Sequence, residues 1–345
     1  MMLIEDTVRF AVVGCGHIGK RHAEMIERNP EASLTALCDI KPKEELQLEP
    51  YDVPFYSDMA TLLEKEADNI DVVCICTPNG LHTEHSLMAL EARKHLVCEK
   101  PLALSKGDAE KVIFKSLQVS RYVFTVMQNR YSPPSQWIKE VIETGVLGQV
   151  FMVQLNCYWN RDNRYYKEGG WKGTRELDGG TLFTQFSHFI DIMYWLFGDI
   201  SDIHALFNNF NHENTIDFED SGIVSFKFVN GGMGSLNYST SVWDKNLESS
   251  ITIIGEKGSV KLGGQYMNEV EHCHIDGYEM PELAPACPAN DYGQYKGSAA
   301  NHHFVIENVV NTVKGRTSIT TNALEGLKVV EIIERIYDAK PEHLK

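Results

Sequence analysis

The chain has 345 residues, too many for one ordinary hydrophobic core and suited to about two domains of ~150 residues each. A net charge of −16 in a globular composition that is 43% hydrophobic excludes non-specific binding to nucleic acid or anionic lipid, which needs clustered lysine and arginine. Residues 1–6 lack a basic flank and no apolar run reaches eighteen residues, so we expect neither a leader nor a membrane span. The eight cysteines include no Cys-x-x-Cys motif, which predicts reduced thiols in a cytoplasmic protein.

The first elements predict a strand, a glycine turn and a helix. Residues 8–13 are rich in β-formers, residues 14–19 are G-C-G-H-I-G, and helix-forming residues continue to Arg28. Glycines in such a turn let the backbone approach a pyrophosphate, which faces the helix N-terminus. The predicted cofactor-binding residues of this turn are Gly14, Gly16, His17, Ile18 and Gly19.

The second predicted strand, residues 34–38, ends in Asp39, twenty positions after Gly19. A carboxylate there can accept hydrogen bonds from the adenosine ribose and would repel a 2′-phosphate. The sequence therefore predicts NAD rather than NADP as the cofactor, in preference to an aspartate that merely closes a strand.

Further β–α alternation predicts one doubly wound parallel sheet, a Rossmann domain. Predicted strands at 71–76, 95–98 and 122–127 are separated by helices at 81–93 and 105–117. In such sheets, ligands bind beyond the carboxyl ends of the strands, which makes Lys100 the first candidate for chemistry, with Pro101 fixing its backbone. The residues placed at this edge are Asp39, Thr77, Asn79, Glu99, Lys100 and Gln128.

Taken together, these motifs resemble those of the Gfo/Idh/MocA oxidoreductases. The resemblance depends on V-V-G-C-G-H-I-G at 12–19, C-T-P-N at 76–79 with His82, and C-E-K-P at 98–101, and it extends over nearly the whole chain. It implies an NAD-binding Rossmann domain, here residues 1–127 with His82 at the cofactor, followed by an α+β domain for substrate binding and oligomerisation, here residues 128–345.

The second half predicts a large, mostly antiparallel open sheet, because its β-patterned runs are separated by few helices. A sheet with one bare face commonly packs on another copy, so we expect a homo-oligomer, a dimer or a tetramer. The predicted runs are 149–158, 203–210, 222–229, 234–242, 250–255 and 259–261, and the predicted helices are 133–143, 182–195, 304–313 and 323–338. The last helix is expected to pack back on the first domain.

Residues 159–175 carry five lysines or arginines against Asp162 and Glu168, an unusual balance in so acidic a chain. With the aromatic residues among them, they favour a pocket for an anionic ligand over a solvated loop with packed aromatics. We name residues 159–175 the basic segment. By contrast, His272-Cys273-His274 lacks a third ligand group, and no metal site is predicted.

The helix predicted over 182–195 places Thr184, Gln185 and His188 at i, i+1 and i+4, on one side of an α-helix. The family's catalytic histidine occupies G-G-x-L-x-x-x-x-x-H, here residues 179–188, so the resemblance implies a catalytic His188. Many members have aspartate four residues earlier, where this chain has Thr184.

That departure points to a subgroup. W-N-R-D-N-R-Y-Y, W-K-G-T, D-G-G-T-L-F-T-Q, H-F-I-D and Q-N-R-Y-S-P resemble the UDP-N-acetylglucosaminuronate 3-dehydrogenases of bacterial surface polysaccharide (lipopolysaccharide, O-antigen) synthesis, which oxidise a nucleotide sugar at its 3-hydroxyl. The substrate-binding residues assigned on this basis are Lys100, Arg130, Tyr131, Arg164, Tyr166, Trp171, Arg175, Thr184, Gln185 and His188.

His188 is the first choice as base and Lys100 as the group that stabilises the alkoxide, although a neutral lysine beside the positive nicotinamide could exchange these roles. Two other functions fit the sequence. A dehydrogenase of a free sugar or inositol would not need the basic segment, and a non-catalytic sugar sensor would not need Lys100 and His188 together. NADH reoxidation by exchange with the pool and by a keto-acid co-substrate are both compatible with the sequence.

Overall fold

The computed structural model describes residues 7–339, so the expectation that residues 1–6 form no leader lies outside the described chain. The described chain forms two compact units. The first unit runs to Val126 and includes His302–Val330, and the second comprises Met127–Asn301 and the residues from Glu331 onward.

The strands are β1 Val8–Val13, β2 Ala32–Cys38, β3 Phe55–Tyr56, β4 Val72–Ile75, β5 His95–Cys98, β6 Val123–Thr125, β7 Val150–Tyr158, β8 Ile200–Asn208, β9 Ser221–Phe228, β10 Met233–Ser239, β11 Glu248–Gly255, β12 Gly258–Gly263, β13 Glu269–Ile275, β14 Ala289–Asp291 and β15 Lys296–Ala299. The α-helices are α1 His17–Arg28, α2 Met59–Lys65, α3 His82–Glu91, α4 Lys106–Val119, α5 Pro133–Glu143, α6 Ser187–Phe197, α7 His302–Val313 and α8 Ala323–Asp338.

The first unit contains a six-stranded sheet in the order β3-β2-β1-β4-β5-β6, with every neighbouring pair parallel. This confirms the predicted doubly wound parallel sheet. All four residues of β4 are buried, as a parallel sheet covered on both faces requires. One core cluster packs Val73 and Ile75 of β4 against Leu90 and Val112 of the helices. The short elements β3 and α2 were not predicted. A two-residue strand such as β3 carries no periodic signal.

The second unit contains a seven-stranded sheet in the order β13-β12-β11-β7-β10-β9-β8. All its pairs are antiparallel except β7 with β10, which confirms the predicted mostly antiparallel sheet. Alternation along β9 is regular: even-numbered residues from 222 to 228 are buried, and the odd-numbered residues between them are exposed. One strand, β13, was missed, because E-V-E-H-C-H-I has little apolar alternation.

The glycine turn between β1 and α1 is shaped by close backbone approaches. Gly14 has φ +87, and a Cβ there would lie 2.7 Å from the carbonyl oxygen of Cys76. A Cβ at Gly19 would lie 1.9 Å from the carbonyl oxygen of Gly14, whereas one at Gly16 would meet no atom within 4 Å. Gly14 and Gly19 therefore serve internal packing, and the open space lies at Gly16.

Between residues 7 and 339, no helix combines the length and apolar composition that a bilayer crossing requires. All eight cysteines are free thiols, as the sequence predicts. Burial raises the pKa of Cys15 and of Cys38 to about 12, so these thiols are un-ionised core groups.

We predict that Gly19→Ala destabilises the protein by about 2 kcal/mol or more, since its methyl group meets a backbone carbonyl that cannot rotate away. Chemical denaturation without cofactor measures the effect. Gly16→Ala is the matched control: with open space and an ordinary φ of −68, it should change stability by less than about 0.5 kcal/mol. Equal stability losses in the two variants would contradict this account.

Candidate active site

At the end of β2, the Asp39 carboxylate is fixed by the glycine turn. Its Oδ2 accepts a hydrogen bond of 2.7 Å from the backbone N–H of Cys15, and its Oδ1 accepts one of 2.9 Å from that of Lys41. Each oxygen retains a further lone pair for a ribose hydroxyl. With the open space at Gly16 and the start of α1 directly after it, this arrangement fits the pyrophosphate and ribose of a dinucleotide.

The turns after β4 and β5 are joined by His82. Its Nε2 lies 2.9 Å from the carbonyl oxygen of Thr77, and its Nδ1 lies 2.6 Å from that of Pro101. Burial lowers the pKa of His82, although both carbonyl contacts oppose this effect. Asn79 is buried in the first of these turns. The predicted cofactor residue His82 therefore sets the spacing of two turns at the carboxyl edge of the sheet.

Glu99, also at this edge, is buried and contacts two histidines. Its Oε1 lies 2.8 Å from Nε2 of His22 and 3.4 Å from Nε2 of His302. Burial alone would raise the pKa of Glu99, but hydrogen bonds from the two histidines outweigh it and hold the pKa well below its ordinary range. The carboxylate is therefore ionised inside the unit, and Lys100 follows it directly.

The three ligand atoms of His22, Glu99 and His302 lie within 4.8 Å of one another, a spacing that a metal ion could use. However, the 2.8 Å contact between His22 and Glu99 is a direct hydrogen bond, with a proton between the two atoms. We interpret the three residues as an anchor for the Lys100 turn. His272 belongs to the His-Cys-His run for which the sequence predicts no metal site. Its Nε2 lies 3.1 Å from the Ser259 hydroxyl oxygen.

Lys100 is the second residue after β5 and is half-buried. Its backbone N–H donates to Oε2 of Glu99 at 3.3 Å, and the Lys100–Pro101 peptide bond is cis. The anchor thus fixes both the side chain before Lys100 and the backbone of Lys100 itself.

In the second unit, His188 on α6 and Gln128 are both buried and contact each other. The Gln128 amide Nε2 lies 3.2 Å from Nε2 of His188. An amide nitrogen only donates, so this His188 nitrogen is the acceptor of the contact. The Oε1 of Gln128 is buried and accepts no hydrogen bond from residues 7–339, which leaves an acceptor for a ligand.

The start of the predicted 182–195 helix is not α-helical. Residues Leu182–Phe186 form a π-helical turn, and α6 begins only at Ser187. The predicted α-helical start at residue 182 is therefore wrong, whereas the placement of Thr184, Gln185 and His188 on one side of the segment stays a prediction. Thr184 donates to both the backbone and the carboxylate of Asp178. Thr184, which replaces the family's aspartate, thus contacts a carboxylate itself.

Gln185 belongs to a buried network. Its Oε1 accepts from Nε of Arg161 at 2.8 Å, and its Nε2 donates to the hydroxyl of Tyr165 at 2.7 Å. Both side-chain groups of the amide are therefore engaged within the second unit.

Arg130 pairs with Asp191 of α6 through two hydrogen bonds, from Nε at 2.8 Å and from Nη2 at 2.6 Å. Both side chains are buried, so contact of Arg130 with a ligand would require this pair to open. Arg130 belongs to a 3-10 turn, Gln128–Tyr131, whose last residue, Tyr131, is half-buried.

The basic segment divides into outer and inner residues. Arg164 is exposed and pairs with Asp162 at 2.7 Å, and Arg175 donates to the Asp217 backbone carbonyl at 2.9 Å. Trp171 is half-buried, whereas Tyr166 is buried beside the His212 ring. Arg161, which was counted among the cations of the segment but not assigned to substrate binding, is buried at the centre of the segment.

A half-buried carboxylate, Glu219, is linked to the π turn through Tyr337. Glu219 Oε1 accepts from the hydroxyls of Tyr238 at 2.9 Å and Tyr337 at 2.8 Å. The Tyr337 hydroxyl in turn accepts from the backbone N–H of Leu182 at 3.0 Å. Burial raises the pKa of Glu219 to about 7 despite these hydrogen bonds. Glu219 was missed because its partners lie far away along the chain.

Comparison with protein families matches both halves of the chain. Residues 8–123 match the oxidoreductase family GFO_IDH_MocA, NAD-binding Rossmann fold, and residues 135–261 match the GFO/IDH/MocA C-terminal domain.

Solved structures and curated relatives include sugar dehydrogenases. The WlbA dehydrogenase of Chromobacterium violaceum, in complex with NADH and UDP-GlcNAcA, is 31% identical with a TM-score of 0.87, covering 98% of this chain and 94% of that one. The WlbA dehydrogenase of Bordetella pertussis, in complex with the same two molecules, is 30% identical with a TM-score of 0.85, covering 96% of each chain. D-glucoside 3-dehydrogenase of Escherichia coli is 24% identical over 98% of this chain and 96% of its own length.

The Glu219 cluster makes stability depend on pH. Because the folded-state pKa, about 7, exceeds the ordinary 4.5, the folded protein holds this proton more tightly than the unfolded chain. Glu219 therefore contributes stability that is fully present below pH 4.5 and is lost as pH rises through about 7. We predict that Glu219→Gln, whose amide oxygen can accept the same two bonds, removes this loss and raises the melting temperature at pH 8.

Melting curves between pH 4.5 and 8 measure this dependence, with Glu213→Gln, an exposed glutamate, as the control. A wild-type decline across this range that persists unchanged in Glu219→Gln would contradict the prediction.

Proposed function

The chain belongs to the Gfo/Idh/MocA oxidoreductase family, and on that premise we propose that this NAD-dependent sugar oxidoreductase oxidises the 3-hydroxyl of UDP-N-acetylglucosaminuronic acid or a close nucleotide sugar. The observation that carries the substrate assignment is the likeness, over 96–98% of this chain, to two WlbA enzymes in complex with UDP-GlcNAcA. The basic segment supports it independently, because a diphosphate and a uronate are anions and a base needs a stacking face.

NAD+, when bound, supplies the hydride acceptor. The chain itself must provide a fixed site for the dinucleotide and a group that removes the hydroxyl proton. Asp39 and the open space at Gly16 serve the first requirement. For the second we assign His188, because its Nε2 already accepts a hydrogen bond and so carries a lone pair at neutral pH.

Lys100 is assigned to the alkoxide that develops as the proton leaves. A cation at this oxygen stabilises negative charge more in the transition state than in the ground state. The buried anchor of Glu99 with His22 and His302 holds the turn that carries Lys100, which supports a role requiring fixed position. Eight free cysteines fit a reducing compartment, and we place the reaction in the cytoplasm, in surface polysaccharide synthesis.

A second candidate is oxidation of a free sugar or glucoside. The likeness to D-glucoside 3-dehydrogenase over nearly the whole chain favours it. Such a substrate carries no diphosphate, so it leaves the basic segment without a ligand.

Absorbance of reduced nicotinamide tests both functions when purified protein and NAD+ meet UDP-N-acetylglucosaminuronate, UDP-N-acetylglucosamine, methyl glucoside or inositol. We expect turnover with the uronate, and much less with NADP+ in place of NAD+. Tightly held NADH could hide turnover, so each reaction is repeated with a keto acid and the oxidised sugar is measured directly. Oxidation of methyl glucoside or inositol alone would overturn the nucleotide-sugar proposal.

Lys100→Met and His188→Asn should each lower kcat by about a hundredfold or more while NADH binding, followed by fluorescence, stays near that of wild type. Asparagine retains a hydrogen-bond partner for Gln128 but has no basic nitrogen. Lys111→Gln, an exposed lysine of α4, is the control for loss of a positive charge. If either variant keeps a near-normal kcat, its assigned role is wrong.

We also propose that the protein is a homo-oligomer assembled through the outer face of the second unit's sheet. On this face, Leu206 of β8 pairs with Ile223 of β9. Met152 of β7 pairs with Met233 of β10 on one side and with Ile254 of β11 on the other. All five are exposed by 40% or more, and their alternation with buried residues places them on one face. Exposed apolar pairs on the open face of a sheet are commonly covered by a second copy.

Light scattering should give a molar mass of at least two chains for the wild type and a lower mass for Ile223→Lys. Phe114→Lys, which changes an equally exposed apolar residue of α4, should keep the wild-type mass. A monomeric wild type would refute assembly through this face.

A further inference from the structure

Two arginines of the second unit are fully buried, but only one has a counter-ion. Arg130 forms two hydrogen bonds to the carboxylate of Asp191. Arg161, 2% exposed, donates only to neutral oxygens. These acceptors are Gln185 Oε1 at 2.8 Å, the Asn160 carbonyl at 2.6 Å, Asn246 Oδ1 at 3.3 Å and the Lys296 carbonyl at 3.1 Å. Within residues 7–339, no carboxylate forms an ion pair with Arg161.

Aromatic rings surround Arg161 without supplying a negative charge. Its guanidinium carbon lies 4.7 Å from the ring centre of Trp159, 5.1 Å from that of Tyr165 and 5.0 Å from that of Tyr295. The ring quadrupoles attract a cation but carry no net charge. Burial also holds the pKa of Tyr165 well above its ordinary range, so its phenol stays neutral.

A second cation shares two of these rings. Lys172 Nζ lies 3.8 Å from the ring centre of Tyr165 and 4.9 Å from that of Tyr295, and it donates to the Tyr295 hydroxyl at 3.1 Å. Lys172 is half-buried, so it links the enclosed Arg161 to the surface of the unit. We name Arg161, Lys172, Trp159, Tyr165 and Tyr295 the arginine cage.

A buried charge without an opposite charge is strongly unfavourable, and this chain has 48 aspartates and glutamates from which a partner could have been drawn. The uncharged amide of Gln185 instead occupies the position where a carboxylate would pair. We propose that the arginine cage is an anion subsite whose counter-charge is supplied by the substrate, either by its diphosphate or by its uronate carboxylate. This inference rests on the proposed function, which provides a substrate with both groups.

The cage is also connected to the residue assigned as base. Gln185, bonded to both Arg161 and Tyr165, lies three residues before His188 in the same continuous segment. An anion held at the cage would therefore position the sugar relative to His188, and the cage would select charged substrates over neutral ones.

Gln185→Glu tests the proposal directly, because it supplies the missing counter-charge in nearly the same volume. The new carboxylate can accept from both Arg161 and the Tyr165 hydroxyl. We expect a melting temperature above that of wild type at pH 8 and affinity for the anionic substrate weakened about thirtyfold or more. A lower melting temperature together with unchanged substrate affinity would overturn the proposal.

Arg161→Lys and Arg161→Gln form a second test, with Lys257→Gln as the control. Lys257 is an exposed cation of the second unit outside the basic segment, and its loss should change neither affinity nor melting temperature appreciably. Calorimetric titration compares UDP-N-acetylglucosaminuronate, UDP-N-acetylglucosamine and UDP. Weakening of all three by Arg161→Gln assigns the diphosphate to the cage, and weakening of the uronate alone assigns the carboxylate. Wild-type affinity for all three in a folded Arg161 variant refutes the subsite.

Failure of the proposed function is recognised separately. If the wild type binds no UDP compound, the nucleotide-sugar function is wrong, but the cage can still be tested with inorganic diphosphate and with glucuronate. At least one of these anions should raise the melting temperature of wild type more than that of Gln185→Glu. Equal shifts in the two proteins would refute the anion subsite itself.

Discussion

The ionised carboxylate of Glu99 is the constraint on which the first unit's active edge depends. It is buried, and a buried charge costs several kcal/mol unless hydrogen bonds and opposite charge compensate it. A hydrogen bond of 2.8 Å from Nε2 of His22 in α1 compensates it, and Nε2 of His302 in α7 lies 3.4 Å from the same carboxylate oxygen. One carboxylate therefore joins the helix after the glycine turn, the end of β5 and the first residue of α7. The helix that follows the dinucleotide turn and the turn that carries Lys100 are consequently linked through this carboxylate.

The same electrostatic reasoning distinguishes structural from ligand-directed groups in the second unit. Arg130 has a bidentate carboxylate partner, and His212 has Asp220 at 3.0 Å while its other nitrogen lies 2.6 Å from the Arg161 carbonyl. These groups are compensated within the chain. The Arg161 guanidinium is held by neutral oxygen acceptors and aromatic rings, and its backbone carbonyl is fixed by His212. Because these groups orient the cation without neutralising it, the site is preorganised for an anion.

The sequence was most informative where a backbone requirement leaves a residue-type signature. The glycine turn, the position of Asp39 after β2, and the apolar β4 and β5 could all be predicted, since each follows from local sterics or from burial on both faces of a sheet. The π turn could not be predicted, because it depends on the Tyr337 hydroxyl, 155 residues away from Leu182 in the chain. The neutral surroundings of Arg161 were equally hidden, since two of its acceptors belong to Asn246 and Lys296.

The contacts also bear on which of the two candidate groups takes the proton. A lysine has an ordinary pKa near 10.4, and this pKa would have to fall far toward 7 before the side chain could act as a base near neutrality. The ionised carboxylate of Glu99 directly precedes Lys100 and accepts a hydrogen bond from its backbone N–H at 3.3 Å, which suits a lysine that serves as a cation. His188 needs no such shift: its imidazole is of a type that titrates near neutrality, and the Gln128 amide donates to the nitrogen that would receive the proton. A substrate hydroxyl that replaces this amide meets a lone pair already oriented toward a donor, which favours His188 as base and Lys100 as the permanent cation.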